Sequence, residues 1–333
     1  MSNVGSTFLN LADAAKAKDP DGSTATVVEM LAKTNSMILD MPFVECNDGT
    51  QHRTTVRTGL PTVGYRQAYK GVTRSKSTRA QVTDTTAMLA AMQEVDELIL
   101  DLDSDPAGLM YTESEAFIES LNQQFATDLL YADLAANQEK FHGLGPRYNT
   151  IAGGQVVSAG TGGTNTNTSI WMVIWGPNTV HGLFPKGTMA GISQKSRGRQ
   201  RVLDGNNDPY YAECVDWFWH VGLSVRDPRS VIRVANVDTA TLMTADTGSD
   251  TSQNLVRAMT IAFHKFGSVP NLGTSFRIYA NSTVITYLDV QIQKKLTNNL
   301  TWDFITGPRP QMRFNGVPIM QMDAIVNTEA TIS

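Results

Sequence analysis

Between about residue 50 and residue 86 the chain alternates along its length without acquiring a strong apolar face. Arg53, Thr54, Thr55, Val56, Arg57 and Thr58 form one such stretch, and Thr78, Arg79, Ala80, Gln81, Val82 and Thr83 form another. Alternation rich in Thr and Val predicts extended strands, and the two stretches suit a long polar hairpin. A two-stranded ribbon is at best marginally stable alone in water. This one therefore needs a surface to lie on, and that surface can belong to another copy of the chain.

The remaining sequence is long enough to bury a sizeable core. Its 333 residues allow one large domain or two to three smaller ones. Apolar residues make up an ordinary 41%, but charged residues only 18%, against roughly 25% in an average globular protein, so the surface is mostly uncharged and polar. A net charge of -5 argues against a dedicated nucleic-acid binder, which needs clustered positive charge. Cys46 and Cys214 are the only cysteines, which excludes a disulfide framework and any C-x-x-C motif, so a reducing cytosol is the simplest setting. Met1 to Leu11 lacks the basic and apolar regions of a signal peptide. The longest apolar run, Ile170 to Trp175, is far short of a membrane span. The expectation is a soluble protein that is not exported by these routes.

Local patterns order the chain. Residues 1 to about 22 are small and polar and end in the turn cluster Asp19, Pro20, Asp21, Gly22, which predicts an arm with little core of its own. Val27, Met30, Leu31, Thr34 and Ile38 follow at helical spacing until Met41 and Pro42. Thr112 and Glu115 make a capping box ahead of Ile118, Leu121, Phe125 and Leu129, predicting a helix over 112–133. The Gly/Thr/Asn run 160–167 predicts a mobile or surface loop. Ser169–Trp175, Asp216–Val225 and Val231–Val237 predict buried strands, with Trp171, Trp175, Trp217 and Trp219 spaced as core aromatics or as a ligand-stacking box. Leu255, Met259, Ala262 and Phe266, closed by Gly267, predict a further helix. A strand at Phe276–Ala280 is followed by a helix capped by Asn281 or Ser282, with Ile285, Leu288 and Ile292 on one face and Lys294 and Lys295 at its end. Pro308 and Pro310 then lead into Met312–Phe314. Asn315 and Gly316 suit a two-residue hairpin loop, Val317–Val326 returns as a strand, and Pro318 puts that end at a sheet edge.

Catalytic and metal chemistry find little support. Asp101, Asp103 and Asp105 match the first positions of a calcium loop, but Pro106 replaces the required Gly and Thr112 the closing Glu, leaving a solvated acidic turn. His52, His142, His181, His220 and His264 fall in no zinc-type spacing. Gly160, Gly162 and Gly163 precede no Gly-Lys-Ser/Thr, no nucleophile elbow is present, and Cys214 has the setting of a structural thiol. No metal or cofactor is therefore expected. Lys195, Arg197, Arg199 and Arg201 alternate, so in a regular extended segment all four point the same way. A solvated loop, a contact with acidic residues of another copy and a contact with nucleic acid are all open for them. Together with Arg53, Arg57, Arg74, Lys76 and Arg79 of the ribbon they make up the candidate assembly interface.

The order of elements, with Arg226-Asp227, Arg229, Arg233-Val-Ala-Asn236 and Phe314-Asn-Gly-Val-Pro-Ile319, resembles the major capsid proteins of tailed bacteriophages, particularly short-tailed ones. The resemblance spans nearly the whole chain. It implies the α+β Hong Kong 97 (HK97) fold: an N-terminal arm and short helix at 1–45, an extended loop at 46–92, a peripheral domain at 93–150 with a spine helix at 112–133, an axial domain with mixed sheet and flanking helices at 151–310, and a closing hairpin at 311–333. It also implies hexamers and pentamers of an icosahedral head around double-stranded DNA, with a portal and possible scaffolding and decoration proteins as partners, no membrane, assembly in the host cytoplasm and no turnover. An encapsulin-like compartment shell and a soluble enzyme or ligand-binding domain are the alternatives.

Overall fold

The polar hairpin grows directly into the body of the protein. The computed structural model describes residues 33–244, 255–266, 275–293, 300–303 and 311–333. It begins with a short helix, α1 (Ser36–Asp40), and strand β1 (Phe43–Glu45). The helical pattern predicted from Val27 does not run unbroken to Ile38. The Thr34 amide donates to Asp323 Oδ2 at 2.9 Å and Asn35 bridges to Met322, so these two residues are pinned to the closing segment instead of forming a helical turn. Residues 1–32, with the arm and its turn cluster, lie outside the described residues.

Strands β2 (Gln51–Gly59) and β3 (Thr78–Asp96) pair antiparallel as expected, from Gln51 opposite Thr85 to Gly59 opposite Thr78. Two helices follow, α2 (Glu97–Leu102) and the long α3 (Pro106–Tyr131). The long helix starts earlier than its apparent capping box. Asp105 accepts from the Gly108 amide at 3.0 Å and Pro106 occupies the first turn, where a missing N–H costs nothing. Thr112 is interior, and its hydroxyl donates to the Gly108 carbonyl at 3.0 Å. Its 26 residues make a rod about 39 Å long.

The chain then supplies α4 (Leu144–Arg147), β4 (Val156–Ser158), β5 (Asn167–Ile174), β6 (Val180–Phe184), β7 (Ile192–Leu203), β8 (Pro209–Val225), β9 (Val231–Asp238) and α5 (Thr239–Thr244). It closes with α6 (Leu255–Lys265), β10 (Phe276–Ala280), α7 (Ser282–Gln293), β11 (Leu300–Asp303), β12 (Gln311–Phe314) and β13 (Val317–Gln321). One sheet runs β1-β6-β8-β3-β2, with β7 also on β8, and the other runs β11-β12-β13-β10-β5-β9-β4. The second is mixed, because β4 pairs parallel to β9 and β10 parallel to β13.

All eight residues of β5 are buried, and its period-two alternation divides them between two cores. Trp171 and Val173 join Phe125 and Leu129 of α3 and Trp217 and Trp219 of β8. Ile170, Met172 and Ile174 face Met259 of α6 and Val284 and Leu288 of α7. All four tryptophans therefore belong to the first core, and the ligand-stacking alternative loses its exposed rings.

Several local readings hold. Leu255, Met259, Ala262 and Phe266 are all buried, and Asn281 caps α7 by accepting from the Thr283 amide at 3.0 Å. Asn315 (φ 48°) and Gly316 (φ 81°) make the hairpin turn. Gly267, Lys294, Lys295, Pro308 and Pro310 lie outside the described residues. Two readings change. The return strand ends at Gln321; its first end, with Pro318, is an edge on the β10 side as expected, but from Ile319 on it lies inside its sheet beside β10. Pro318 is tolerated there because it pairs only with Arg313, while pairing to β10 starts at Ile319. The 160–167 run is anchored at its base: Asn167 is fully buried, accepting from the Gly163 amide and donating to the Gly163 carbonyl, both at 2.7 Å. Among the described residues, no helix is long and apolar enough to cross a membrane.

Phe125, fully buried with its ring 4.5 Å from that of Trp219, joins the helix to the sheet. Phe125→Ala is expected to cost about 3–5 kcal/mol, measured as a lowered midpoint in chemical denaturation.

Candidate assembly surfaces

The ribbon is anchored at its root by a buried polar cluster. Asp84 sits where β3 passes from ribbon to body, opposite His52 in the β2 ladder. Its carboxylate is 4% exposed and accepts from Arg147 at 2.7 Å and from the Ser224 hydroxyl at 2.8 Å. Arg147 also donates to the His142 carbonyl at 3.1 Å. These partners satisfy a charge that would otherwise be expensive to bury. Beside them the His52 ring meets that of His181 edge-on, 5.5 Å between centroids. His181 is fully buried, beside the Gly176 backbone. Burial first, then His52, lowers its pKa to about 4, and Arg226 adds to this, while the Gly176 backbone and Asp84 oppose it. Farther out, a cleft of about 340 Å³ opens between Val56 and Val82 of the ribbon and Tyr148 and Val225 of the body.

Beyond this root the ribbon has no core. Residues 60–76 are exposed throughout, among them Leu60, Val63, Tyr65, Tyr69 and Val72. Tyr69 takes φ 66°, unusual for a bulky side chain. Arg53 pairs with Asp48 at 2.9 Å, whereas Arg57 and Arg79 face each other across the ladder. Like charges directly opposite destabilise an antiparallel pair. Arg74 and Lys76 lie in the exposed tip.

The basic stretch 195–201 lies in β7, and its four cations do not share a face. The ladder with β8 shifts between Ser196 and Gly198, and Gly198 takes φ 68°. Lys195 lies opposite Asp216, but Arg199 and Arg201 lie opposite Glu213 and Tyr211. The bulge therefore turns Lys195 to one face and Arg199 and Arg201 to the other. Arg197, at the bulge, pairs with the buried Asp216 at 2.6 Å. Arg199 pairs with Glu97 and, at 3.0 Å, with Asp101 of α2. Part of the acidic turn thus neutralises part of the basic run within one chain. Lys195 and Arg201 remain exposed.

Residues far apart in sequence hold the closing tail. Arg233, 5% exposed, pairs with Glu329 at 2.8 Å and donates to the Ser169 hydroxyl at 2.9 Å. Asn236 (φ 57°) donates to the Ile332 carbonyl at 2.9 Å and accepts from the Ile332 amide at 2.8 Å. This explains the Arg233-Val-Ala-Asn236 run: both ends of the motif grip the tail. No spacing rule predicts Glu329, Asp84 or His181 as partners, because each lies dozens of residues away from the group it meets. Burial and Glu45 push the Cys46 thiol up to about 11, and Cys214 is buried and shifted up as well, which suits structural thiols. Among the described residues, no cluster of His, Cys, Asp and Glu could hold a metal ion.

The model of one protein family, major capsid protein GP7, matches residues 19–333. The chain belongs to this family of major capsid proteins. Among solved structures, a chain from bacteriophage Epsilon15 matches with a TM-score of 0.78 and 34% identity, over 100% of this chain and 99% of that one. A chain of the bacteriophage JBD30 capsid matches at 0.48 and 10% identity, covering 89% and 93%. One from the holo-SrpI encapsulin complex of Synechococcus elongatus PCC 7942 matches at 0.44 and 13%, covering 69% and 96%. The last two likenesses are too low to bear on function. No curated protein matches. The fold is the HK97-like α+β capsid fold, and the role is structural: the capsid protein assembles with copies of itself into the shell of a phage particle.

The root cluster has a pH signature. In the folded protein His181 stays neutral down to about 4, whereas the unfolded chain protonates it near 6.5. Stability is therefore complete above about 6.5 and is withdrawn as the pH falls toward 4. His181→Phe is expected to reduce the loss of thermal stability across that window; an unchanged slope would show that other groups carry it.

Proposed function

We propose that the capsid protein builds an icosahedral head of hexamers and pentamers around double-stranded DNA, and that its ribbon is the part given over to a neighbouring copy. The observation that carries this reading is the tip itself, which exposes Tyr65 and Tyr69 while its own body offers them nothing to pack on. Burying such a ring removes roughly 150–250 Å² from water, an upper gain of about 4–6 kcal/mol before ordering costs. A neighbour can supply that burial, and contacts of this head-to-tail kind close into rings and shells.

In this reading the arm is 1–45, the extended loop 46–92, the peripheral domain 93–150 with its spine in α3, the axial domain 151–310 and the closing hairpin 311–333. The repulsion between Arg57 and Arg79 favours an acidic patch on the neighbour, with Arg53, Arg74 and Lys76 along the same ribbon. Lys195 and Arg201 contribute on the body side, while Arg197 and Arg199 serve mainly to brace β7. A net charge of -5 suits a container that encloses DNA without gripping it. The portal, scaffolding and decoration proteins, and assembly in the host cytoplasm, complete the reading.

Deleting residues 60–77 is expected to abolish shells in electron micrographs while leaving the unfolding midpoint of the body unchanged; shells of normal size would sink the proposal. Arg57→Glu should pair with Arg79 and steady the isolated ribbon, yet raise the concentration needed for assembly by roughly tenfold, or about 1.4 kcal/mol. Reversing Lys195 and Arg201 together should alter the salt dependence of assembly, measured by light scattering.

A further inference from the structure

Charge is segregated along the chain. Residues 51–79 carry seven Lys and Arg and no carboxylate, whereas residues 80–139 carry thirteen Asp and Glu and no Lys or Arg. Folding puts the first set on the ribbon and much of the second on α2 and α3. Glu115 and Glu119, one turn apart on α3, border a groove of about 730 Å³ between that helix and the strands β7 and β8. The groove floor is apolar: Val215 and Trp217 are each 5% exposed, with Met110 and Ile192 beside them. The Trp217 indole N–H already donates to Gln93 at 3.2 Å. Ile118 lines the opening and is 39% exposed.

Nearby cations leave the rim acidic. Gln194 lines the groove, so its neighbour Lys195 points to the other face of β7. Arg199 is engaged by Glu97 and Asp101, and Arg201 lies about 24 Å beyond Gln194 along the strand. Lys33, whose amide meets Glu119 at 3.2 Å, offsets part of that charge, which makes Glu115 the principal one. The Tyr111 hydroxyl bonds to Glu115, but a carboxylate accepts more than one donor.

The ribbon tip fits such a groove. It exposes Tyr65 and Tyr69 among Arg66, Lys70, Arg74 and Lys76. A tyrosine ring buries its body on an apolar floor while its hydroxyl stays at a polar rim. The tip cannot fill the groove of its own chain. Gln93, which bonds to both Trp217 and Ser114 beneath the groove, lies fifteen residues, about 50 Å, from Thr78 along the single strand β3. Residues 60–77, running out and back, span at most about 30 Å.

We infer that the ribbon tip of one copy docks in this groove of the next, with Tyr65 or Tyr69 against Ile118 and Trp217, and Lys70 and Arg74 beside Glu115. The inference rests on the reading of the ribbon as the part given over to a neighbour, and it specifies the surface that receives it.

The test places a cysteine at Ile118 and a second at Tyr65 or Tyr69 in the full chain, with Cys46 and Cys214 left buried. Mild oxidation of assembled particles should link neighbouring chains into a ladder on non-reducing electrophoresis, with peptide mass placing the bond between position 118 and position 65 or 69. Particles that form without this bond in either pairing would overturn the inference and leave the ribbon's role intact; that role falls separately if chains lacking 60–77 still assemble. Charge reversal tests the same contact with the rings in place. Glu115→Lys should leave the unfolding midpoint unchanged but raise the concentration needed for assembly by roughly tenfold. Adding Lys70→Glu and Arg74→Glu to the same chain should restore it. An unchanged assembly concentration in Glu115→Lys, or no recovery in the combined variant, would count against docking.

Discussion

One continuous strand, β3, carries both the ribbon and the body, and the rest of the structure is arranged to hold it. Its first half pairs with β2 and has little apolar surface; its second half pairs with β8 and sets Ala87, Leu89 and Ala91 against the first core. A strand transmits force along its backbone, so whatever grips the tip acts on the central sheet. Asp84 marks the change from one half to the other. Its bonds to Arg147 and Ser224 tie β3 to α4 and β8 at that point, and the His52 and His181 rings pack close beside it.

Charge is handled differently in the two halves. In the body, oppositely charged groups meet within the chain: Asp84 with Arg147, Arg233 with Glu329, Asp216 with Arg197, and Glu97 and Asp101 with Arg199. The two buried pairs, Asp84 with Arg147 and Arg233 with Glu329, are tolerable only because each is hydrogen-bonded, and removing one partner would leave a buried charge uncompensated. In the ribbon, Arg57 instead lies opposite Arg79. Like charges directly opposite weaken such a hairpin on its own.

Much of this architecture was legible locally. The ribbon strands, the Asn315–Gly316 turn, the Asn281 cap and the face of α6 follow from backbone preferences and periodicities that operate within a few residues. The errors have local causes too. Thr112 and Glu115 imitate a helix start, but Asp105, followed by Pro106, offers a better cap seven residues earlier. Alternation of Lys195, Arg197, Arg199 and Arg201 implied one face, but Gly198 allowed a bulge that reverses it. The edge expected at Pro318 is there, since pairing to β10 begins only at Ile319, but the sequence does not show that the rest of the strand lies inside its sheet.

By itself, the sequence determined that this chain has a folded body, a ribbon unable to stabilise itself, no credible catalytic group, and an order of elements like that of phage capsid proteins. These properties depend on composition and on short-range spacing, which the linear order preserves. Only the tertiary structure decided which charges are satisfied internally, where the ribbon is anchored and which surfaces stay open. Those outcomes depend on contacts such as Arg233 with Glu329, 96 residues apart, and Asp84 with Ser224, 140 apart. Such partners are chosen by the packing of sheets and helices, and no local pattern encodes them.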